Sequence, residues 1–278
     1  MTSPQPGSAQ AYAEVIGDPI DHSLSPIIQG FWLAQLNIDA TYGRSKVSRG
    51  DLADYLKQRR ADPNWRGCNV TMPLKLDALH AADEASDRAV TAGAANLLVP
   101  KDGKLLAANT DVGAIADVLV KLHKGGAAMN SVVLLGNGGA ARAALVACKL
   151  VGLSMIRIQA RDMAAAVKLA VEFGLDAAPT QITDPITSDG VINATPLGMK
   201  GMDCLNCDLS QMRRDGWVFD MITDPPETPL IAAARTRGLK VATGLEMLVE
   251  QAATSFELFF GQKPPRDRDA ELWQKLLP

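Results

Sequence analysis

Short apolar runs alternate with amphipathic stretches along this chain, and the alternation predicts strands that are separated by helices. In the first part of the chain, strands are expected at residues 11–16, 40–47 and 66–70. Ser25 followed by Pro26 is typical of a helix start, with the serine as N-cap and the proline as the first helical residue. This order of elements is typical of α/β domains with parallel strands.

A second series of strands and helices begins near residue 131. An apolar strand at residues 132–135 leads into Gly136, Gly138 and Gly139 and then into an alanine-rich helix. A dinucleotide fingerprint requires this context, because its glycines let backbone N–H groups approach a pyrophosphate at a helix N-terminus. Ala141 stands where the fingerprint has its third glycine, so a glycine turn without a ligand remains the alternative. The nucleotide site is favoured by further strands expected at residues 155–160, 190–195 and 217–221.

The length of 278 residues fits two α/β domains. We expect the first to comprise residues 1–110 together with 239–278. The second, a Rossmann-type dinucleotide-binding domain, should comprise residues 111–238. The stretch at 244–261 has apolar residues at helical spacing and should return the chain to the first domain.

Composition and charge exclude several classes of partner. A net charge of −3 and the absence of a lysine and arginine cluster argue against a nucleic-acid surface. No apolar run approaches the roughly 18 residues of a membrane span, and the opening MTSPQPGSAQ lacks the regions of a signal peptide. We therefore expect a cytoplasmic protein with a short loose N-terminal tail and a small-molecule ligand.

The cysteines give little support to a disulfide framework or a metal site. The chain has 4 cysteines, and only Cys204 and Cys207 form a CxxC pair. A zinc ribbon needs a second pair, and a redox motif needs its own strand-to-helix context. We interpret the pair as incidental thiols in a loop and expect no metal, with a metal or redox role as the alternative.

The residues after the second strand of the nucleotide unit bear on the type of cofactor. An acidic residue there would bind the ribose 2′-OH of NAD, whereas this chain has Ala160, Arg161 and Asp162. Arg161 can neutralise a 2′-phosphate, which favours NADP. Asp162 would repel that phosphate, so NAD remains possible.

Polar residues cluster where the strand at 66–70 ends, in the segment NVTMPLK. Asn69, Thr71 and Lys75 follow one another there, although a buried strand turning into a helix would normally continue with apolar or capping residues. Ligands of α/β sheets collect at the carboxyl ends of strands. We therefore expect these side chains to face a ligand, with a surface lysine at a helix start as the alternative for Lys75.

Several segments, in this order, resemble the shikimate/quinate dehydrogenase family between about Tyr12 and Gly261. They are GDPIDHSLSP at 17–26, NVTMPLK at 69–75, GAANLL at 93–98, NTD at 109–111, GNGGAAR at 136–142 and GLEMLVEQAA at 244–253. GAANLL and NTD are similar to loops of that family, and GLEMLVEQAA is similar to its closing helix.

The resemblance implies an oxidoreductase of the shikimate pathway of aromatic amino acid biosynthesis. We expect a monomer or homodimer. It would move hydride between NADP(H) and the C3 position of shikimate or 3-dehydroshikimate. The catalytic pair would be Lys75 and Asp111. The substrate would meet Ser23 and Ser25 through its carboxylate, and Asn69, Thr71, Asn96 and Gln251 through its hydroxyls. The cofactor would meet Gly136, Asn137, Gly138, Gly139, Ala140, Arg161, Thr195, Met221 and Gly244. The alternatives are an NAD-linked dehydrogenase of quinate or a related cyclic acid, and a non-catalytic, nucleotide-binding regulatory homologue.

Oxidation of an alcohol requires a base within about 3 Å of the hydroxyl oxygen as the hydride leaves carbon. Lys75 can take that proton only when it is neutral, and a carboxylate such as Asp111 favours the charged ammonium. The sequence therefore leaves open which of the two is the formal base. His22, a side-chain type often used as a base near neutral pH, is the rival, and we expect it instead to shape the turn that presents Ser23 and Ser25.

This chain departs from the family pattern at two places by the implied substrate. Thr223 stands where the family usually has a tyrosine, and Val112 stands where it commonly has a glycine. The first change removes a phenol, and the second adds bulk and restricts the backbone. Low activity on shikimate, or a preference for quinate or a related hydroxy acid, is therefore a further expectation.

Overall fold

The computed structural model describes residues 10–277. The expected loose N-terminal tail falls on residues 1–9, which lie outside the described residues. Within the described part of the chain, no helix is both long enough and apolar enough to cross a membrane.

The elements alternate as the sequence pattern predicts. The strands are β1 Ala11–Gly17, β2 Ala40–Lys46, β3 Trp65–Val70, β4 Glu84–Ala85, β5 Leu97–Lys101, β6 Lys104–Ala108, β7 Ser131–Leu135, β8 Met155–Ala160, β9 Thr180–Gln181, β10 Gly190–Asn193, β11 Trp217–Asp220 and β12 Lys240–Thr243. The helices are α1 Ser25–Gln35, α2 Leu52–Arg60, α3 Lys75–Ala81, α4 Asp87–Ala92, α5 Asp111–Lys124, α6 Gly139–Leu150, α7 Met163–Glu172, α8 Pro229–Thr236, α9 Gly244–Phe260 and α10 Asp269–Leu276.

Two local expectations need correction. Ser25 is not the N-cap of α1, because Leu24 already has helical dihedral angles and takes the cap position, without a side-chain cap hydrogen bond. The segment GAANLL is not a loop throughout, since Leu97 and Leu98 begin β5, which pairs with β6 in an antiparallel hairpin. The hairpin has no helix between its strands, so the βα alternation gave no sign of it.

The chain forms two compact units. The first comprises Met1–Thr110 and Val249–Pro278, and the second comprises Asp111–Leu248. The observed second unit therefore extends past the expected boundary at residue 238. The physical reason is that β12 pairs in parallel with β11 and completes the second sheet.

The first unit contains a mixed sheet of order β2-β1-β3-β5-β6-β4. Strand β3 runs parallel to β1 and antiparallel to β5, and β5 runs antiparallel to β6. The start of β5 and the end of β6 therefore lie at the same edge of the sheet as the carboxyl ends of β1 and β3. Every polar segment that the sequence singled out in this unit borders that edge.

A buried ion pair fixes α2 against the first sheet. Glu14 on β1 is fully buried and accepts from the Arg59 guanidinium at 2.7 and 3.2 Å. The Ser45 hydroxyl donates to the same carboxylate. The guanidinium also lies over the rings of Tyr12 and Tyr55. Both charges are thus compensated in a region that otherwise consists of apolar core.

The second unit contains a parallel sheet of order β12-β11-β10-β7-β8-β9. The strand order reverses between β7 and β10, which both lie at the centre. In sheets of this kind, ligands bind beyond the carboxyl ends of the strands at that reversal. The glycine turn after β7 and the residues after β10 lie at this position.

Candidate active site

Backbone hydrogen bonds join three segments at the edge of the first sheet where β1 and β3 end. They are the end of β1, the segment from the end of β3 to the start of α3, and the segment before β5. Thr71 donates its N–H to the Ile16 carbonyl at 2.9 Å, which joins the ends of β1 and β3. Ala95 donates to the Lys75 carbonyl at 2.8 Å, which joins the start of α3 to the segment before β5. A Cβ on Gly17 would lie 2.5 Å from Thr71 Cγ2, so the close approach of these segments requires a glycine there.

A buried polar network connects the residues predicted to read substrate hydroxyls. Asn69 donates to the Ser255 hydroxyl at 2.9 Å and accepts from the Tyr42 hydroxyl at 2.7 Å. Asn96 donates to the Thr110 hydroxyl at 2.9 Å and lies 3.5 Å from Gln251 Oε1. The structure therefore brings Asn69, Asn96 and Gln251 together, while Thr71 lies half-buried beside them at the strand end. Sequence reasoning missed Tyr42, Thr110 and Ser255.

Lys75 is the first residue of α3 and is half-buried. The cap position of this helix is Leu74, and no side chain caps it. A cation in the first turn opposes the helix dipole and costs about 0.3–1 kcal/mol at an exposed site. The helix itself therefore gains nothing from a lysine at this position, which favours a role toward a ligand.

Asp111 is the first residue of α5 and is buried. A carboxylate at a helix N-terminus is stabilised by the helix dipole, so its position also suits α5. The preceding residue is fixed from the first sheet, because the Thr110 N–H donates to Asn96 Oδ1 at 2.7 Å. The backbone entering Asp111 is thus held by a residue of the polar network.

The turn before α1 and the first residue of α1 carry the serines expected to bind a carboxylate. Ser23 is half-buried and Ser25 is buried, and the Ser25 N–H donates to Ser23 Oγ at 3.4 Å. The Arg44 guanidinium donates to the Ser23 carbonyl at 3.0 and 2.5 Å. Sequence reasoning missed this arginine, because the pairing of β2 with β1 that brings it to Ser23 is not visible in the sequence. His22 lies on the same turn and is exposed.

The glycine turn of the second unit has the backbone geometry of an anion site. Gly136 has a φ of 104°, and a Cβ there would lie 3.2 Å from the Ala194 carbonyl oxygen. Gly138 is the N-cap of α6 and offers no side-chain cap, and Gly139 and Ala140 form the first helical turn. The first N–H groups of a helix lack intrahelical partners. They can therefore hold a phosphate, which matches the expectation for this turn.

The loop after β8 holds the residues expected to select the cofactor. Arg161 is exposed, and Asp162 caps α7 by accepting from the Ala165 N–H at 3.0 Å. Asn137 donates to the Asp162 carbonyl at 3.3 Å and so joins the glycine turn to this loop. The Asp162 carboxylate thus has a structural partner in α7, which accounts for an acidic residue beside Arg161.

The remaining predicted cofactor residues lie around the ends of β10, β11 and β12. Thr195 donates its N–H and its hydroxyl to Asn193 Oδ1 at 3.0 and 2.7 Å, and the Met221 N–H donates to the Asn193 carbonyl at 3.1 Å. A Cβ on Gly244 would lie 2.4 Å from the Met221 carbonyl oxygen, so this approach needs a glycine. Thr195, Met221 and Gly244 are therefore close together.

Buried Asp220 organises this part of the second unit, and sequence reasoning missed it. Its carboxylate accepts from Asn193 at 2.9 Å, from the Ile222 N–H at 3.2 Å and from the Thr228 hydroxyl at 2.6 Å. Burial raises the pKa of the Asp220 carboxyl, and these hydrogen bonds only partly offset the effect. The signal that could have found it was a polar residue at the end of each apolar strand, in GVIN and WVFD.

The described residues include no group of three or more histidine, cysteine, aspartate or glutamate side chains arranged to hold a metal. Cys204 is exposed and Cys207 is half-buried, and both are free thiols. Burial raises the pKa of the Cys207 thiol to about 12, which leaves it protonated near neutral pH.

Comparison with known proteins agrees with this geometry. A family model described as the shikimate dehydrogenase substrate binding domain matches residues 15–98, and one described as the shikimate 5'-dehydrogenase C-terminal domain matches residues 244–271. The shikimate dehydrogenase (NADP(+)) of Sphingopyxis alaskensis is 42% identical over 272 residues, which cover 95% of this chain and 96% of that protein. This chain belongs to the shikimate dehydrogenase family. The resemblance found in the sequence motifs is confirmed.

Solved structures of the shikimate dehydrogenase fold extend the comparison. Shikimate 5-dehydrogenase of Thermus thermophilus, in complex with NADP(H) and shikimate, is 31% identical with a TM-score of 0.83, and the match covers 96% of this chain and 100% of that chain. Quinate dehydrogenase of Corynebacterium glutamicum, in complex with NAD, is 30% identical with a TM-score of 0.84 over 96% of this chain and 99% of that chain. The predicted α/β fold with a Rossmann-type domain is confirmed, and the chain is an oxidoreductase.

Proposed function

We propose that this chain is an NADP-dependent shikimate dehydrogenase that transfers hydride between NADP(H) and the C3 position of shikimate or 3-dehydroshikimate. Its first unit would hold the acid and its second unit the dinucleotide. The name of the Sphingopyxis relative and the ligands of the Thermus enzyme support both assignments. We further propose a cytoplasmic monomer or homodimer, which size-exclusion chromatography with light scattering distinguishes.

The observation that carries the proposal is a pair of hydrogen bonds that Ala95 and Asn96 make at Lys75 and at the residue before Asp111. The Asn96 side chain accepts from the Thr110 N–H at 2.7 Å, and Thr110 directly precedes Asp111. Its neighbour Ala95 donates to the Lys75 carbonyl at 2.8 Å. The backbone at Lys75 and the backbone entering Asp111 are therefore both held by one short segment, as precise positioning of acid and base groups requires.

The chemistry assigned to Lys75 and Asp111 is the transfer of the hydroxyl proton. In the oxidation direction the pair removes the proton from the C3 hydroxyl as the carbonyl forms, and in the reduction direction it returns the proton to that oxygen. We assign this role to the two residues jointly, because acid-base groups that act on one proton titrate as a unit.

The residues of the second unit fit a dinucleotide. The glycine turn has a φ of 104° at Gly136, which favours glycine, and leads into a helix without a side-chain cap, which suits a pyrophosphate. Arg161 would hold a 2′-phosphate, and Thr195, Met221 and Gly244 would border the nicotinamide end. When bound, the nicotinamide supplies or accepts the hydride.

The turn before α1 fits a carboxylate. Ser23 and Ser25 would donate their hydroxyls to it. Arg44, which holds the Ser23 carbonyl, adds a positive charge close by. A cyclic acid would thus be oriented with its carboxylate toward α1 and its hydroxyls toward Asn69, Thr71, Asn96 and Gln251.

A dehydrogenase of quinate with NAD is the second candidate function. It is favoured by the similarity to the quinate dehydrogenase of Corynebacterium glutamicum and by Thr223, which is half-buried where the family usually has a tyrosine. An assay at 340 nm with shikimate or quinate, each with NADP or NAD, separates the two candidates. Turnover mainly with shikimate and NADP supports the first, and turnover confined to quinate and NAD replaces it.

The decisive variant is Lys75→Ala. Loss of a positioned proton-transfer group lowers turnover by about a hundredfold or more, and cofactor binding should stay unchanged. Lys57→Ala is the matched control, because Lys57 is an exposed lysine on α2 of the same unit. Steady-state turnover and NADPH titration measure both effects. A turnover number equal to that of the parent protein would remove Lys75 from the mechanism.

A further inference from the structure

The Asn69 amide has a defined orientation, and the residue that determines it is Ser255 on α9. Ser255 is fully buried, and its hydroxyl donates to the Gln251 carbonyl at 2.9 Å, one helical turn earlier. A serine hydroxyl has a single proton. With that proton committed to the carbonyl, Ser255 Oγ can act toward its other neighbours only as an acceptor.

This restriction decides how the Asn69 amide lies. Its NH₂ group donates to Ser255 Oγ at 2.9 Å and approaches the Asn96 carbonyl at 3.4 Å, while its oxygen accepts from the Tyr42 hydroxyl at 2.7 Å. In the flipped orientation the amide oxygen would face Ser255 Oγ and the Asn96 carbonyl, and acceptor would oppose acceptor. Tyr42 alone would allow either orientation, because a phenol can donate or accept.

Both N–H bonds of Asn69 are therefore used within the protein. The amide oxygen accepts one hydrogen bond from the Tyr42 hydroxyl. Its second lone pair is the part of the side chain that can still form a hydrogen bond to a ligand. We infer that Ser255 is a positioning residue, which holds Asn69 as a hydrogen-bond acceptor toward a substrate hydroxyl. The inference rests on the proposed function.

The test is a double-mutant cycle of Ser255→Ala with Asn69→Ala, measured as kcat/KM for shikimate with NADP as the oxidant and NADPH formation as the readout. In the parent protein, Ser255→Ala should raise KM for the acid by about fivefold to tenfold, the effect of one lost hydrogen bond, with kcat and the KM for NADP nearly unchanged. In the Asn69→Ala background the same substitution should change kcat/KM by less than about twofold, because the group that Ser255 positions is already absent.

Ser45→Ala is the matched control for a purely structural effect. Ser45 is also a buried serine of the first unit with a hydrogen-bonded hydroxyl, but its partner is Glu14. It should lower the melting temperature without raising KM. Equal effects of Ser255→Ala in both backgrounds, or an unchanged KM in the parent, would overturn the inference and leave the proposed function standing. A parent protein that turns over neither shikimate nor quinate would overturn both.

Discussion

At the scale of single residues, the candidate site depends on side chains whose partners lie far away in the sequence. Asn69 is hydrogen-bonded to Tyr42 and Ser255, and Thr110 is hydrogen-bonded to Asn96. Each of these side chains is fixed by hydrogen bonds inside the protein and can contribute its remaining capacity to a ligand. Arg161 differs, because it is exposed and its selectivity would come from charge alone.

Arg161→Ala should weaken binding of NADP much more than binding of NAD. NADP carries a 2′-phosphate that the guanidinium would contact, and NAD lacks this group. A charge-assisted hydrogen bond contributes about 1.5–3 kcal/mol. Isothermal titration of both cofactors measures the ratio. Equal losses for the two would exclude the 2′-phosphate role. Arg157→Ala, on the exposed side of β8, provides the control for loss of a positive charge from this unit.

At the scale of elements, buried polar residues at strand ends hold the loops of the second sheet. Asp220 ends β11, Asn193 ends β10, and their hydrogen bond joins two neighbouring strands. Through Asn193 the same connection fixes Thr195, and through Thr228 it fixes the start of α8. The loops that would border the nicotinamide therefore depend on one buried carboxyl group.

The raised pKa of Asp220 predicts the pH dependence of stability. In the folded state its carboxyl binds a proton more tightly than in the unfolded state, where its pKa is about 4. Its contribution to stability is therefore present below the unfolded pKa and is lost as the pH rises through the folded pKa. The free energy of unfolding of Asp220→Asn, taken relative to that of the parent protein, should therefore be higher at about pH 7 than at about pH 4. Urea unfolding at each pH measures both values.

Asp208→Asn should show the opposite pH dependence: its free energy of unfolding, taken relative to that of the parent protein, should fall as the pH rises. Asp208 is exposed, and the Ser210 N–H, which donates to its carboxylate at 2.8 Å, lowers the pKa of that carboxyl. Its contribution is present above the unfolded pKa and is lost as the pH falls through the folded pKa. If the free energy of unfolding relative to the parent protein changed with pH in the same direction for both variants, the assignment of a raised pKa to Asp220 would be contradicted.

At the scale of the whole molecule, one unit is continuous in sequence and the other is not. The first unit is completed by residues from Val249 onward, including most of α9. Two arginines stabilise its C-terminal part by hydrogen bonds. Arg266 donates to Glu250 at 3.0 and 2.8 Å, and Arg268 donates to Gln35 at 2.6 Å. The sequence therefore leaves the first unit for the nucleotide unit and returns to complete the first core.

NADP should raise the melting temperature of the whole protein more than NAD does at the same concentration. A ligand at a hundred times its Kd stabilises the folded state by about 2.7 kcal/mol. In a protein of this size each kcal/mol corresponds to about 2–4 °C. Differential scanning fluorimetry with matched cofactor concentrations measures the difference. A larger shift with NAD would favour the quinate-type enzyme.

The sequence by itself determined the elements and the family. Strand β8 has the predicted bounds, and the other predicted strands differ by one or two residues at an end, because apolar periodicity and glycine turns are local signals. The family was readable because its motifs keep their order along the chain. Local signals put the N-cap of α1 one position too late, at Ser25, and gave no sign of the strand at Lys240–Thr243.

Only the tertiary structure decided which residues share a site and in which orientation. The antiparallel β5–β6 hairpin brings Asn96 and Thr110 to the edge where β3 ends next to Asn69, and α9 brings Ser255 to the same place. The positive charge of Arg44 beside Ser23 is likewise a product of strand order, because it requires β2 to pair with β1. Hydrogen bonds require contact within about 3 Å, and contact between residues distant in sequence is fixed by topology, which no local pattern contains.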